Sequence, residues 1–209
     1  MTAPHRSSAQ PSADRSLLLA TRNAHKAEEF AVLLAPWTVD PLPEDVRLPP
    51  ETGSTFAENA LGKARAAAAA SGRLAFGDDS GIQAAALDGA PGVRSARFAG
   101  ETATDAENLE KLRAAVPPGG QLAYVCAIAI VDPSDGAEHV VEGRCGGRMA
   151  DAPRGSGGFG YDPIFVADDD PAGRTMAQLR PEEKAAISHR GRAVSLLRAW
   201  LAERPDPQS

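Results

Sequence analysis

The chain has 209 residues, 43% hydrophobic and 24% charged, with a formal net charge of −6. This is the composition of an ordinary globular protein large enough for one sizeable domain. The sign argues against a general nucleic-acid binder, which needs a basic face, and no apolar run reaches the about 20 residues that span a bilayer.

Residues 1–15 are rich in Ser, Pro and Ala and carry no hydrophobic segment between Arg6 and Arg15. They read as a flexible tail rather than a secretory signal. Residues 16–203 are expected to form a single α/β domain, and 204–209 a second flexible tail. Cys126 and Cys145 are too few for a disulfide framework and read as free thiols of a cytoplasmic protein.

Ser16-Leu17-Leu18-Leu19-Ala20 predicts a buried first strand. A polar stretch, Thr21, Arg22, Asn23, Ala24, His25 and Lys26, leads into Ala27, Phe30, Ala31 and Leu34 at helical spacing, and Pro36 stops that helix. Thr55 and Glu58 form a capping-box pair ahead of an Ala-rich helix over about residues 56–70, closed by Gly72. Leu74-Ala75-Phe76 is a short strand running into Gly77-Asp78-Asp79-Ser80-Gly81, so the two aspartates are expected just after a strand. Residues 89–100 make a loop rich in Gly and Arg. Thr104 and Glu107 cap a further helix with Ala106, Leu109, Leu112 and Val116 as its apolar face.

Residues 121–132 are continuously apolar, and 138–149 alternate less cleanly. Pro133-Ser134-Asp135-Gly136 lies between them as a turn. Together they predict a long antiparallel hairpin whose first strand lies inside the sheet. From Glu182 onward, Ile187, Val194, Leu197 and Leu201 line one side of a long helix or of two abutting ones, with Ser188 placed to cap the second. Strands and helices alternate early but the hairpin is antiparallel, so the sheet should be mixed.

Four segments can carry chemistry. Gly155-Ser156-Gly157-Gly158-Phe159-Gly160 fits G-x-G-x-x-G, but the strand-like Tyr161-Asp162-Pro163-Ile164-Phe165-Val166 follows where a dinucleotide fold needs a helix, which rejects that reading. The glycines let backbone approach a ligand, and Phe159 offers a flat face for a nucleobase. Asp162, ahead of Pro163, is expected in extended chain at the mouth of a strand.

Residues 21–26 sit between a strand and a helix, where free N–H groups, the helix dipole and Lys26 suit a phosphate; a plain turn capped by Asn23 would look the same. Glu51, Asp78 and Asp79 have the hard oxygens that magnesium takes together with substrate phosphate; a solvated turn is the alternative for the aspartates. In residues 183–191, Lys184 and Arg190 are donors only, matching carbonyl oxygens on a ligand, and His189 adds another bond; a charged helix face is the bland alternative. Lys63 lies on the Ala-rich helix and has the same alternative. No Walker loop, zinc-type spacing or G-x-S-x-G occurs.

Taken together, these segments resemble the inosine/xanthosine triphosphate pyrophosphatase family over about residues 17–201. The likeness rests on Ala-Thr-Arg-Asn-Ala-His-Lys (20–26), Glu-Thr-Gly-Ser-Thr-Phe-Ala-Glu-Asn-Ala (51–60), Asp-Asp-Ser-Gly (78–81) and Gly-Ala-Pro-Gly-Val-Arg-Ser-Ala-Arg-Phe-Ala-Gly (89–100). The Phe159 loop and Glu-Lys-Ala-Ala-Ile-Ser-His-Arg-Gly (183–191) complete it.

The resemblance implies an elongated mixed sheet flanked by helices, two lobes with a nucleotide cleft between them, and a homodimer. It implies a magnesium-dependent enzyme hydrolysing ITP, dITP and XTP to the monophosphate and pyrophosphate. Thr21, Arg22, Asn23, Ala24, His25 and Lys26 would grip phosphate with help from Lys63. Glu51 and Asp79 would bind the metal with Asp78 in support. Asp79 would be the catalytic proton acceptor and Ser80 a substrate contact. Phe159, Gly160, Tyr161 and Asp162 would hold base and sugar, while Lys184, His189 and Arg190 would read the purine edge.

Arg22, Ala85 and Gln178 depart from the family pattern, which has a small residue, an acid and a Glu there in many members. The alternatives are a Maf-type pyrophosphatase acting on pyrimidine or modified nucleotides, against which the Ser-His-Arg-Gly segment argues, and a catalytically silent nucleotide-binding regulator.

Overall fold

The computed structural model describes residues 15–204. The tails expected at either end therefore lie outside the described residues, apart from Arg15 and Arg204. Arg204 is held in place: its guanidinium pairs with Asp132 and lies 4.7 Å from the centre of the Trp200 ring.

The chain opens with β1 (Ser16–Leu19), α1 (Ala24–Leu33), β2 (Thr38–Pro41) and α2 (Phe56–Ser71). β3 (Ala75–Ala84), α3 (Asp105–Ala115), β4 (Gln121–Val131) and β5 (Glu138–Met149) follow, then β6 (Phe165–Ala167), α4 (Pro181–Ile187) and α5 (His189–Glu203). All six strands form one sheet, in the order β2-β1-β3-β4-β5-β6. β1 is parallel to both β2 and β3, and the remaining pairs are antiparallel. The sheet is mixed, as the alternation of early helices with a late hairpin predicts.

Several local signals act as read. The Thr55 hydroxyl accepts from the Glu58 N–H and the Glu58 carboxylate accepts from the Thr55 N–H, while Gly72 closes α2 in the left-handed region at φ 65°. The same reciprocal pair joins Thr104 to Glu107 at α3. Within α3, Ala106 is exposed and Asn108 is buried, so the apolar face is narrower than expected. Asn108 fits inside because its side chain bonds the backbone of Ala96 and Ala99. Ser188 separates α4 from α5 and caps the latter, accepting from the Gly191 N–H.

Two expectations need correction. β3 does not stop at Phe76: it runs ten residues, carrying Asp78, Asp79 and Ser80 inside the strand. Every one of those residues pairs with β4, and a continuous ladder against a buried partner outweighs the weak local turn preference of Asp, Ser and Gly. Gly77 is required there, because a Cβ would lie 2.7 Å from the Ala60 carbonyl oxygen of α2. Asp162 is not in extended chain; it opens a single 3-10 turn, Asp162–Ile164, before β6. Pro163 is tolerated at that start because its missing N–H would have had no helical partner.

β3, β4 and β5 are long enough to serve two lobes, since twelve residues of strand span about 40 Å. At one end the sheet is sandwiched between α2 on one face and α1 with α5 on the other. At the other end, β4, β5 and β6 pack with α3 and the 162–164 turn. Among the described residues no helix is long and apolar enough to cross a membrane.

Candidate active site

A cleft of about 420 Å³ opens between the two lobes. It is walled by the 21–26 turn without Ala24, Glu51, Lys63, Asp79 and Ser80 on one side and by Phe159, Lys184, His189 and Arg190 on the other, and the two sides touch where His25 stacks on Phe159 and Arg190 donates to Ser80 Oγ.

On the first side, Asn23 caps α1, its side-chain oxygen accepting from the Lys26 N–H at 3.2 Å, while Thr21 Oγ1 accepts from the Asn23 N–H. The helix N-terminus thus faces the cleft with its positive dipole end. Ala24, the first residue of α1, does not line the cleft. Arg22 lines it, but its guanidinium turns away to the carbonyls of Leu42, Pro43, Glu44 and Val46.

Strand alternation separates the two aspartates. Asp79 faces α2, where Asn59 Nδ2 donates to its Oδ2 at 2.8 Å. Burial, the largest influence, raises the Asp79 pKa, and the Glu51 charge adds to it; Lys63 and the Asn59 bond only partly offset them. Lys63 Nζ lies 2.5 Å from Glu51 Oε1. Burial would discharge that ammonium, yet Asp78, Glu51 and Asp79 outweigh it and its pKa is raised.

Asp78 faces the opposite side and does not line the cleft. It is fully buried, with Lys26 Nζ at 2.8 Å and Arg190 Nη2 at 3.8 Å. Burial pushes its pKa up, but Lys26, Arg190 and Lys63 together bring it below the usual carboxylate value. The expected three-carboxylate set is therefore not assembled: among the described residues no three acidic, histidine or cysteine side chains converge as a metal cluster. Glu51 and Asp79 remain as a pair around Lys63, and Asp78 is an ion-pair residue beneath the 21–26 turn.

On the other side the Phe159 loop is tied down at each residue. The Tyr161 hydroxyl donates to Ser95 O at 2.7 Å and the Gly160 N–H to Asp105 Oδ2 at 3.0 Å. Asp162 accepts from the Phe159 N–H, from the Tyr124 hydroxyl and from Lys184 Nζ. Tyr161 and Asp162 are buried, so they hold the loop while Phe159 stays half-exposed to the cleft. His25 stacks on the Phe159 ring at 5.4 Å between centroids, and Lys184 Nζ lies 5.3 Å from the ring centre.

Lys184, His189 and Arg190 form no solvated helix face. Arg190 is 2% exposed, paired with Glu29 and donating to Ser80 Oγ at 3.1 Å. Lys184 bridges Glu29 and Asp162 at 2.7 and 2.8 Å. Burial lowers the Lys184 pKa, but the two carboxylates reverse that and hold it raised. His189 stacks on Tyr124 at 4.5 Å, and burial with the neighbouring cations drives its pKa well below the usual value, leaving it neutral.

Glu29, Asn59 and Tyr124 are site residues that sequence reasoning missed. Glu29 lies three residues after Lys26 and Asn59 four before Lys63, so helical spacing alone set each beside a residue already singled out. Tyr124 carried no such signal inside an apolar strand. Ala85 is exposed beyond the end of β3. The Gln178 side-chain oxygen accepts from the Thr175 N–H, a bond a Glu would make equally.

A mixed sheet carrying a cationic turn, a carboxylate pair and an aromatic face around one cleft defines an α/β protein with a polar, charged pocket between its lobes. The model of the Ham1 family matches residues 17–200, and the chain belongs to that family. It is 49% identical over 192 residues to the dITP/XTP pyrophosphatase of Mycolicibacterium paratuberculosis, covering 87% of this chain and 93% of that one. To the dITP/XTP pyrophosphatase of Geobacillus kaustophilus it is 46% identical over 194 residues, covering 88% and 92%. The solved structure of a HAM1 protein from Coxiella burnetii matches with a TM-score of 0.78 at 44% identity, over 90% of this chain and 99% of that one. The resemblance seen in the sequence segments is thus borne out at the level of family and fold.

Proposed function

We propose that the protein hydrolyses the non-standard purine nucleoside triphosphates ITP, dITP and XTP to the monophosphate and pyrophosphate. The observation carrying this reading is that Lys26, Lys63, Glu51 and Asp79 share one cleft with Phe159 and Lys184. The same pocket therefore offers cations and carboxylates for a polyphosphate and an aromatic face with a free donor for a base. The names of the relatives support the same substrates.

Glu51 and Asp79 fit a magnesium ion by the chemistry of their donors. Both carboxylates line the cleft beside Lys63, and magnesium takes one or two of these plus substrate phosphates and water. When bound, the ion would neutralise phosphate charge and so favour attack at phosphorus. Lys26 and the α1 N-terminus hold the phosphates. Asp79, at the cleft wall and oriented by the Asn59 amide, accepts the proton of the attacking water. Lys63 balances the carboxylates until the polyphosphate arrives.

On the other side Phe159 stacks on the base. An ammonium has three protons; Glu29 and Asp162 take two from Lys184, which leaves one for an oxo oxygen. Adenine's amino group would meet that donor with nothing to accept. A homodimer and a cytoplasmic location belong to the same proposal.

The test is a nucleotide panel with Mg²⁺, scored for pyrophosphate against orthophosphate. Pyrophosphate from ITP and XTP, little from ATP, and none in excess chelator is the expected result. Orthophosphate release, or no preference among bases, overturns the reading.

A further inference from the structure

Residues 42–55 contain no helix or strand, yet they carry one wall of the cleft through Leu48, Pro49 and Glu51. An irregular segment must have its backbone polar groups satisfied from elsewhere, and what satisfies them fixes its position. Two bonds lie within the segment, Val46 N–H to Pro43 O and Thr52 N–H to Pro50 O, and for four carbonyls over residues 42–46 the partner from outside is one side chain. Arg22 Nη1 donates to Leu42 O at 2.8 Å, and Nη2 donates to Pro43 O at 2.7 Å and to Val46 O at 2.9 Å. A longer bond reaches Glu44 O at 3.3 Å.

From the structure we infer that Arg22 is a positioning residue: it straps the 42–51 segment to the phosphate turn and so presents Glu51 to the cleft. Its backbone lies in the same turn as Asn23 and Lys26, so the phosphate site and the Glu51 wall are joined through one guanidinium. The fork geometry matters. A guanidinium offers five donors in a rigid plane, whereas an ammonium is a point charge on a flexible stem. Arg97 holds the far end of the segment, donating to Glu51 O at 3.1 Å. The Leu42, Glu44 and Val46 carbonyls nevertheless depend on Arg22 for a partner. Arg22 is itself exposed and its bonds to Pro43 O and Glu44 O lie at the surface, so its loss opens carbonyls to water, and the variant should fold.

The inference rests on the reading of Glu51 as a metal-site carboxylate, and its test separates the two. Full-length wild type, Arg22→Ala and Arg22→Lys are compared by amide hydrogen exchange and by the Mg²⁺ needed for half-maximal release of pyrophosphate from ITP. In Arg22→Ala, exchange over residues 42–51 should accelerate while the strands β3 and β4 keep wild-type protection. The Mg²⁺ requirement should rise several-fold, short of the about 10–100-fold seen when a ligand's own hydrogen-bond partner is lost, because Arg22 acts on Glu51 only through the segment. The kcat at saturating Mg²⁺ should stay near wild type, and Arg22→Lys should fall between the two on both readouts.

Unchanged exchange over 42–51 in Arg22→Ala overturns the strap. Faster exchange with a wild-type Mg²⁺ requirement overturns the link to Glu51. If wild type itself releases no pyrophosphate, the functional reading fails instead. Mn²⁺ binding followed by electron paramagnetic resonance then replaces the activity measurement, and equal Mn²⁺ affinity in wild type and Arg22→Ala overturns the inference.

Discussion

Asp78 and Asp79 are neighbours in the chain and belong to opposite faces of β3. Asp79 is held by Asn59 on the α2 face, whereas Asp78 pairs with Lys26 and lies near Arg190 on the α1 and α5 face. Identical side chains one residue apart therefore face different tests. Asp79→Asn should abolish pyrophosphate release with little change in melting temperature, because it removes the proton acceptor but little volume. Asp78→Asn should lose about 3–5 kcal/mol of stability, the cost of leaving buried cations without their counter-charge. Thermal unfolding and ITP turnover measured on the same preparations decide it; near wild-type turnover in Asp79→Asn would remove that residue from the mechanism.

His189 sets an acid limit on stability. Its pKa is driven well below 6.5 by burial and by Arg190, Lys184 and Lys26, so the unfolded chain takes up a proton there before the folded one does. The stabilisation is complete above the unfolded value near 6.5 and is lost as pH falls, by up to about 1.4 kcal/mol per pH unit. Urea unfolding at pH 7.5 and about 5.5 should show a shallower pH slope in His189→Gln. Equal slopes would mean that His189 protonates in place.

Phe159 is half-exposed and its loop is anchored by Tyr161 and Asp162 instead. Phe159→Ala should therefore raise KM for ITP by the equivalent of about 1–3 kcal/mol of lost stacking and leave the melting temperature nearly unchanged. A large fall in melting temperature with intact KM would make the ring a packing element.

Base selectivity is better probed at Lys184 than at Arg190. Arg190 is buried among Glu29, Ser80 and Asp78, so its replacement disturbs folding as well as recognition. Lys184→Met keeps the stem and removes the donor. ITP hydrolysis should fall far more than ATP hydrolysis, bringing their ratio toward the roughly 10–200-fold that shape alone supports. Equal slowing of both substrates would assign Lys184 to holding Glu29 and Asp162.

Gly77 tests the packing that positions Asp79. A Cβ there would lie 2.7 Å from Ala60 O and 3.0 Å from Ala64 N, both backbone atoms of α2. Gly77→Ala should destabilise by about 1–3 kcal/mol and slow turnover by moving Asp79 relative to Lys63. Wild-type stability and turnover together would show that α2 can retreat at no cost.

Local chemistry was legible without coordinates. Reciprocal Thr–Glu caps, the Asn23 and Ser188 caps, the Gly72 stop and the 133–136 turn act through bonds within a few residues, so the linear order of the chain contains them. The hairpin was legible too, because a strand buried on both faces must be apolar throughout. Tertiary structure decided whatever depends on partners distant in sequence. β3 continues through Asp78, Asp79 and Ser80 because β4 supplies a ladder from residues 122–131. That continuation fixes which aspartate faces Lys63 and which faces Lys26. Glu29 enters the site because α1 lies beside residues about 155 positions away. Arg22 turns to the carbonyls of residues 42–46 for the same reason: an irregular segment with few hydrogen bonds of its own lies within its reach.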